Sequence, residues 1–180
     1  MMSFFARLLA MLAFVAPAYA QAPPADPANT LVIELKTGKV LIQLRPDLAP
    51  KHVERVKQLA KKGFYDGIVF HRVIDGFMAQ TGEPTGTGTG GSGQAKLPAE
   101  FSATPFVRGV IGAARTSDPN SADSQFFIVL KDSAHLNRQY TVWGQVIGDG
   151  MTHVDQIKRG EPVQNPDKML KVYLQSDAKN

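Results

Sequence analysis

The stretch that decides the fold is Phe70-His71-Arg72-Val73-Ile74-Asp75-Gly76-Phe77-Met78-Ala79-Gln80. In an extended segment, residues two apart share a face. That spacing predicts Phe70, Arg72 and Ile74 on one side, with His71 and Val73 on the other. Asp75-Gly76 separates two apolar runs, a turn signal. An arginine between two large apolar residues of one face needs a reason. Either it snorkels to water from an edge strand, or it sits in an apolar-walled pocket. In such a pocket its charge is weakly screened and its rigid donors can be aimed.

Working upstream, Leu31, Ile33 and Leu35 alternate with Thr30, Val32 and Glu34, and Val40, Ile42 and Leu44 with Lys39, Gln43 and Arg45. The Gly-containing turn between these runs predicts a β-hairpin. Pro50 to Lys62 reads as an amphipathic helix on Val53, Val56, Leu59 and Ala60, started by Asp47 or Pro50 and ended by Gly63. Lys51, Glu54, Arg55, Lys57, Lys61 and Lys62 are expected to face outward. Downstream, short apolar runs recur at Val110–Ala114, Phe126–Leu130 and Val142–Ile147. Gly150 to Lys158 reads as a second helix, and Lys168 to Gln175 as the closing strand. Many short strands with turn signals predict a mainly β domain whose sheet closes on itself.

A second constellation is Ser124-Gln125-Phe126-Phe127-Ile128. Its two phenylalanines must point to opposite faces, one into the core and one toward a surface or pocket. Ser124 has no nearby base and no nucleophile-elbow glycines, which argues against a hydrolase. Gly86-x-Gly88-x-x-Gly91 matches a dinucleotide fingerprint only formally, because poor helix material follows it. It reads as a surface loop. His52 and His153 are expected on the outer faces of the two helices. His71 is expected to face the barrel interior and make a structural hydrogen bond. No histidine pair has metal-ligand spacing.

The 180 residues fit one domain plus a short extension. Net charge is +4, and no dense basic run points to nucleic acid. There is no cysteine, which excludes disulfides, Cys-based zinc sites and thiol nucleophiles. Arg7, the apolar run Leu8 to Val15 and the small-x-small Ala18-Tyr19-Ala20 read as a signal peptide over 1–20, cleaved after Ala20. Residues 21–29 read as a flexible Pro/Ala linker, 30–176 as the domain and 177–180 as a tail. The expected product is periplasmic, with no stable membrane insertion once the signal is removed.

The two quoted blocks resemble the signature blocks of cyclophilins. Further matches are Thr85-Gly86-Thr87-Gly88, Glu100-Phe101, Ala113-Ala114-Arg115 and Val142-Trp143-Gly144-Gln145-Val146. Order and spacing hold from about Thr30 to Gln175, and the chain is most similar to compact bacterial, exported members. The resemblance implies a closed eight-stranded antiparallel β-barrel capped by two α-helices, with the active site on its outer surface. It implies peptidyl-prolyl cis–trans isomerase activity on exported proteins, without metal or organic cofactor. Arg72 matches the family's catalytic arginine. Phe77, Met78 and Phe127 match the walls of a proline pocket, with Leu136 beside them. Gln80 matches a side chain that steadies Arg72 and the substrate backbone. Ala114 and Arg115 match the strip that pairs with the substrate main chain, mostly through backbone groups.

His135 stands where many members have Trp, and Tyr140 where many have His. Tyr140 still offers a hydroxyl and a ring to the pocket rim. Losing the indole removes a donor and a flat surface, which counts against strong cyclosporin binding but not against catalysis. The expected partners are proline-containing unfolded or exposed segments, and nothing demands more than a monomer. A module that captures such segments without turnover, or a scaffold docking through Lys51–Lys62, are the competing readings.

Overall fold

The computed structural model describes residues 26–178. The signal peptide, its cleavage point and most of the linker lie outside the described residues. Residues 26–29, expected as linker, form a short turn at Pro27–Asn29, with the Asp26 carboxylate accepting from Ala28 N–H at 3.0 Å.

Eight antiparallel strands form one curled sheet. They are β1 (Thr30–Leu35), β2 (Gly38–Leu44), β3 (Arg72–Ile74), β4 (Met78–Thr81), β5 (Val110–Ala113), β6 (Phe126–Val129), β7 (Val142–Ile147) and β8 (Lys171–Leu174). Their order is β3-β4-β6-β5-β7-β2-β1-β8. The expected closed barrel is corrected: no ladder joins edge strands β3 and β8 among the described residues, and the sheet is an open half-barrel. A single bridge, Val69 with Lys168, and a few backbone bonds such as Gly67 N–H to Met169 O at 2.7 Å link the approaches to the two edges. The chain ahead of β8 carries Pro162 and Pro166, which have no N–H to give, and Asn165 at φ 48°. A regular ladder cannot run through such a segment.

The alternation in the strands sorts two apolar clusters onto opposite faces. Leu31, Ile33, Ile42, Ile111, Phe126, Ile128 and Trp143 fill the inside of the curl. Phe127, Val129, Met78, Val110 and Val142 join Phe106 and Leu136 in a second cluster outside it. Phe70 is an exception to the predicted period: it is fully buried in the inner cluster with Val73, not on the face of Arg72. The strand begins only at Arg72, so the two-residue period does not extend back to Phe70.

Helix α1 (Pro50–Lys61) buries Val53, Val56, Leu59 and Ala60 as its period requires. Gly63, at φ +66°, ends it, and its N–H returns to Ala60 O at 2.9 Å. Two expectations on this helix are corrected. His52 and Arg55 are buried, because the 94–123 region crosses the helix face. Arg55 donates to Asp123 at 2.8 Å and to Ala95 O at 2.8 Å. His52 Nδ1 lies 2.6 Å from the Glu100 carboxylate, which also accepts from the Lys51 and His52 N–H groups. Glu100 thus serves as a remote cap, while Asp47 pairs with Arg45 instead. Helix α2 covers only Gly150–Val154, shorter than predicted. Beyond it the chain tightens to three-residue bonds, and the Ile157 carbonyl is taken by the Arg159 side chain. No helix is long and apolar enough to cross a membrane among the described residues.

Candidate active site

The site grows from strand register. Arg72 pairs with Gln80 between β3 and β4, Gln80 with Phe127 between β4 and β6, and Phe127 with Gly112 between β6 and β5. Residues directly opposite one another project to the same side of a sheet. Arg72, Gln80 and Phe127 therefore stand in one row on the outer face. Gly112 completes the row by having no side chain: a Cβ there would lie 2.3 Å from Phe127 Cζ. The ring of Phe127 lies over that gap and stacks on Phe106 with centroids 5.8 Å apart.

A cavity of about 310 Å³ opens beside this row. Every site residue named from the sequence lines it: Arg72, Phe77, Met78, Gln80, Ala114, Arg115, Phe127, His135, Leu136 and Tyr140. Met78, Phe127 and Leu136 are buried and form its apolar floor, while Phe77 and Tyr140 are half-buried walls. His135 is exposed at the rim, its ring 5.3 Å from Phe77. Tyr140 meets Phe127 edge-on at 5.7 Å. The cavity is thus greasy on one side and cationic on the other.

The Arg115 side chain does more than its backbone role implied. Its guanidinium lies 4.4 Å above the Tyr140 ring and donates to Gln139 O at 2.7 Å. That cation–π contact fixes the tyrosine at the rim. Ala114 N–H is already engaged with Gln125 O at 3.0 Å, so it is not among the groups open to a guest backbone.

Gln80 sits 3.4 Å from Arg72 Nη1 and donates to Gln125 Oε1 at 3.0 Å. Gln125 in turn donates to Gly88 O at 3.0 Å and Gly90 O at 2.8 Å. A relay of amides thus ties Arg72 to the Gly/Thr-rich loop. That loop is wrapped around Glu83, a fully buried carboxylate accepting from Thr85 N–H at 2.5 Å and Gly88 N–H at 2.9 Å. These bonds hold the Glu83 carboxyl below its ordinary range, although burial alone would raise it.

Four contributors escaped the sequence reading: Phe106, Gln125, Gly112 and Glu161. Gln125 had a readable signal, since it shares the face of Phe127 by alternation. Glu161 had none, lying 89 positions from Arg72, yet its carboxylate accepts from Arg72 Nε. His71 also departs from expectation. Its ring is covered by the glycine loop, with Nε2 3.2 Å from where a Gly88 Cβ would be, and it lines an outer cavity with Arg72. Neither ring nitrogen has a hydrogen-bond partner. Burial is the main cause that lowers the affinity of His71 for a proton, with Arg72 adding to it. Ser124 Oγ is spent on Gly82 O at 2.7 Å. Among the described residues no cluster of His, Asp and Glu converges to hold a metal.

A second cavity of about 360 Å³ continues the groove past Gln80, Ala114 and Arg115 toward Lys96, Ser121 and Asp123. An extended peptide could lie across both.

Comparison with known proteins bears on the family and the fold. The family model for "Cyclophilin type peptidyl-prolyl cis-trans isomerase/CLD" matches residues 30–176. A Brucella suis protein named "Probable peptidyl-prolyl cis-trans isomerase" is 50% identical, over 99% of this chain and 100% of its own length. A peptidyl-prolyl cis-trans isomerase of Synechococcus elongatus is 37% identical over 82% of this chain and 97% of its own. Among solved structures, a cyclophilin from Hirschia baltica superposes with a TM-score of 0.78 at 28% identity, covering 86% of this chain and 77% of that one. A cyclophilin-type isomerase of Cryptosporidium parvum, crystallised in the presence of the dipeptide Ala-Pro, gives 0.75 at 25% identity, covering 84% and 99%.

Proposed function

The chain belongs to the cyclophilin-type peptidyl-prolyl cis–trans isomerases, and on that premise we propose that Arg72 is the donor that catalyses X–Pro rotation in exported polypeptides. The observation that carries this reading is the row Arg72–Gln80–Phe127, which sets a cationic fork against an apolar slot.

The chemistry explains why that pairing suffices. For an X–Pro bond the cis form costs only about 0.5–1 kcal/mol. The obstacle is a rotation barrier of roughly 18–20 kcal/mol, because twisting breaks amide resonance. No bond is made or cleaved. At the twisted transition state the prolyl nitrogen turns pyramidal and gains a lone pair. A donor that meets this lone pair acts in the transition state and not in either ground state. A guanidinium presents only N–H donors, so Arg72 donates without acting as a base. Phe77, Met78, Phe127 and Leu136 grip the pyrrolidine ring while the preceding carbonyl swings. Gln80 steadies the fork, and Ala114 and Arg115 border the peptide backbone. Excluding water also helps, because a planar, polarised amide is better solvated than a twisted one. Lowering the barrier by about 4–6 kcal/mol gives roughly 10³–10⁴-fold acceleration, within reach of one aimed charge-assisted hydrogen bond plus desolvation. The Ala-Pro present with the Cryptosporidium relative is the class of ligand this slot fits.

The test is proline-limited refolding of a substrate protein with wild type and Arg72→Ala. Wild type accelerates it and Arg72→Ala loses most of the effect. Equal acceleration by both overturns the role of Arg72. If peptide binds tightly but NMR exchange spectroscopy finds no added isomer exchange, the protein is a capture module instead.

The leader features at Arg7, Leu8–Val15 and Ala18-Tyr19-Ala20 support export to the periplasm, a domain over 30–176 and clients that fold there. Cell fractionation with N-terminal sequencing tests this. A mature chain beginning at Gln21 in the periplasmic fraction is expected, and an uncleaved cytoplasmic chain overturns it.

A further inference from the structure

We propose that Glu161 is a positioning residue for Arg72, holding the guanidinium from behind so that its outer edge faces the Phe127 pocket. This rests on the reading of Arg72 as the donor. Three observations carry it.

The Glu161 carboxylate accepts from Arg72 Nε. With Gln80 Oε1 at 3.4 Å from Nη1, acceptors on two different nitrogens define the plane of the fork. The main chain, moreover, fixes where Glu161 stands. Residues 160–163 are laid along β3 by Val73 N–H to Gly160 O at 2.8 Å, Gly160 N–H to Val73 O at 2.8 Å and Val163 N–H to His71 O at 3.1 Å. Glu161 therefore begins beside Arg72 and does not reach it by a chance extension.

The third observation is which space each side chain borders. Arg72 and Gln80 separate two cavities: the pocket with Phe127, and an outer one of about 430 Å³ with His71, Gly88 and Pro162. Glu161 lines the outer cavity and not the pocket. It grips the arginine without occupying the volume a proline would fill. An arginine free to turn into either space spends part of its time aimed away from the substrate, and a tether on Nε removes that loss. The pair is solvent-accessible, 39% for the Arg72 side chain and 55% for Glu161. Exposed ion pairs add little to stability, so the effect belongs to turnover and not to folding.

The test measures isomer exchange on a short Pro peptide by NMR, at several peptide concentrations, with thermal unfolding of each variant. The variants are Glu161→Ala, Glu161→Gln, Arg72→Ala and the Arg72→Ala/Glu161→Ala double. Glu161→Ala is expected to lower kcat about tenfold with KM changed less than about twofold, the split of an interaction made in the transition state. Glu161→Gln retains an acceptor oxygen and should stay within about threefold of wild type. The double variant should be no slower than Arg72→Ala alone, because Glu161 acts only through Arg72. Wild-type kcat in Glu161→Ala, with Arg72→Ala slow, overturns the role of Glu161 and leaves Arg72 standing. A double variant slowed by both factors overturns it as well. Wild-type turnover in Arg72→Ala instead removes the reading beneath both.

Discussion

Gly112 and Phe127 face each other across β5 and β6 so closely that a Cβ on Gly112 would fall 2.3 Å from Phe127 Cζ and 2.7 Å from Phe106 Cε1. The floor of the pocket beside Arg72 is therefore set by a missing side chain. Gly112→Ala should push the Phe127 ring into the slot. Overpacking of this kind costs about 1–3 kcal/mol, and the displaced ring should lower kcat/KM by at least about tenfold. Thermal unfolding and peptide-exchange kinetics on the same variant check both. Unchanged turnover would show that the ring has room to yield.

Charge alone does not account for the role given to Arg72. Lysine keeps the charge but not the planar fork that Glu161 and Gln80 hold. Arg72→Lys should therefore lose roughly 10²-fold or more in kcat/KM, close to Arg72→Ala, as when one transition-state donor is removed. Recovery of most activity by lysine would argue for a diffuse field in place of an aimed donor.

The pocket residues were legible through the family resemblance; only Arg72, Met78, Gln80 and Phe127 lie on strands, where the two-residue period reports facing. Phe126 and Phe127 divided between inside and outside as that period requires. The same period misled at Phe70, one step beyond the strand's start. Helical spacing placed Val53, Val56 and Leu59 correctly but set His52 and Arg55 outward. Polarity was the only guide there, and the covering segment is 40 or more positions away. Phe106 and Glu161 belong to irregular chain, where no period reports direction. Closure of the sheet, expected both from the many short strands and from the family resemblance, is interrupted locally at Pro162, Asn165 and Pro166.

The Arg55–Asp123 pair is nearly out of water, with side-chain accessibilities of 9% and 5%. Asp123 also accepts from Ser92 N–H at 2.8 Å. Arg55→Ala strands a buried carboxylate and should cost about 3–5 kcal/mol, read as a shift in the urea midpoint. A loss under about 1 kcal/mol would mean that water or Lys96 replaces the guanidinium.

Stability should also respond to pH in two stages. His52 and His71 both hold their protons less well than the ordinary 6.5, chiefly through burial. The unfolded chain therefore binds protons first as pH falls, so stability present above about 6.5 declines below it. A second decline should begin near 4.5, the ordinary carboxylate value of Glu100 and Glu83, both held lower in the fold. Urea midpoints from pH 8 to pH 3 check this. In a His52→Gln/His71→Gln variant the first stage should flatten while the second remains; an unaltered first stage would clear both histidines.

Glu83 turns a threonine–glycine ribbon that composition would class as slack into a set wall. Its carboxylate is clasped by Thr85 and Gly88, and Gln125 fastens Gly88 and Gly90 from the other side. A mould finished before its guest arrives needs no lid to shut. Encounter should thus proceed without a gating delay, leaving the imide's swing or the peptide's departure as the slow event.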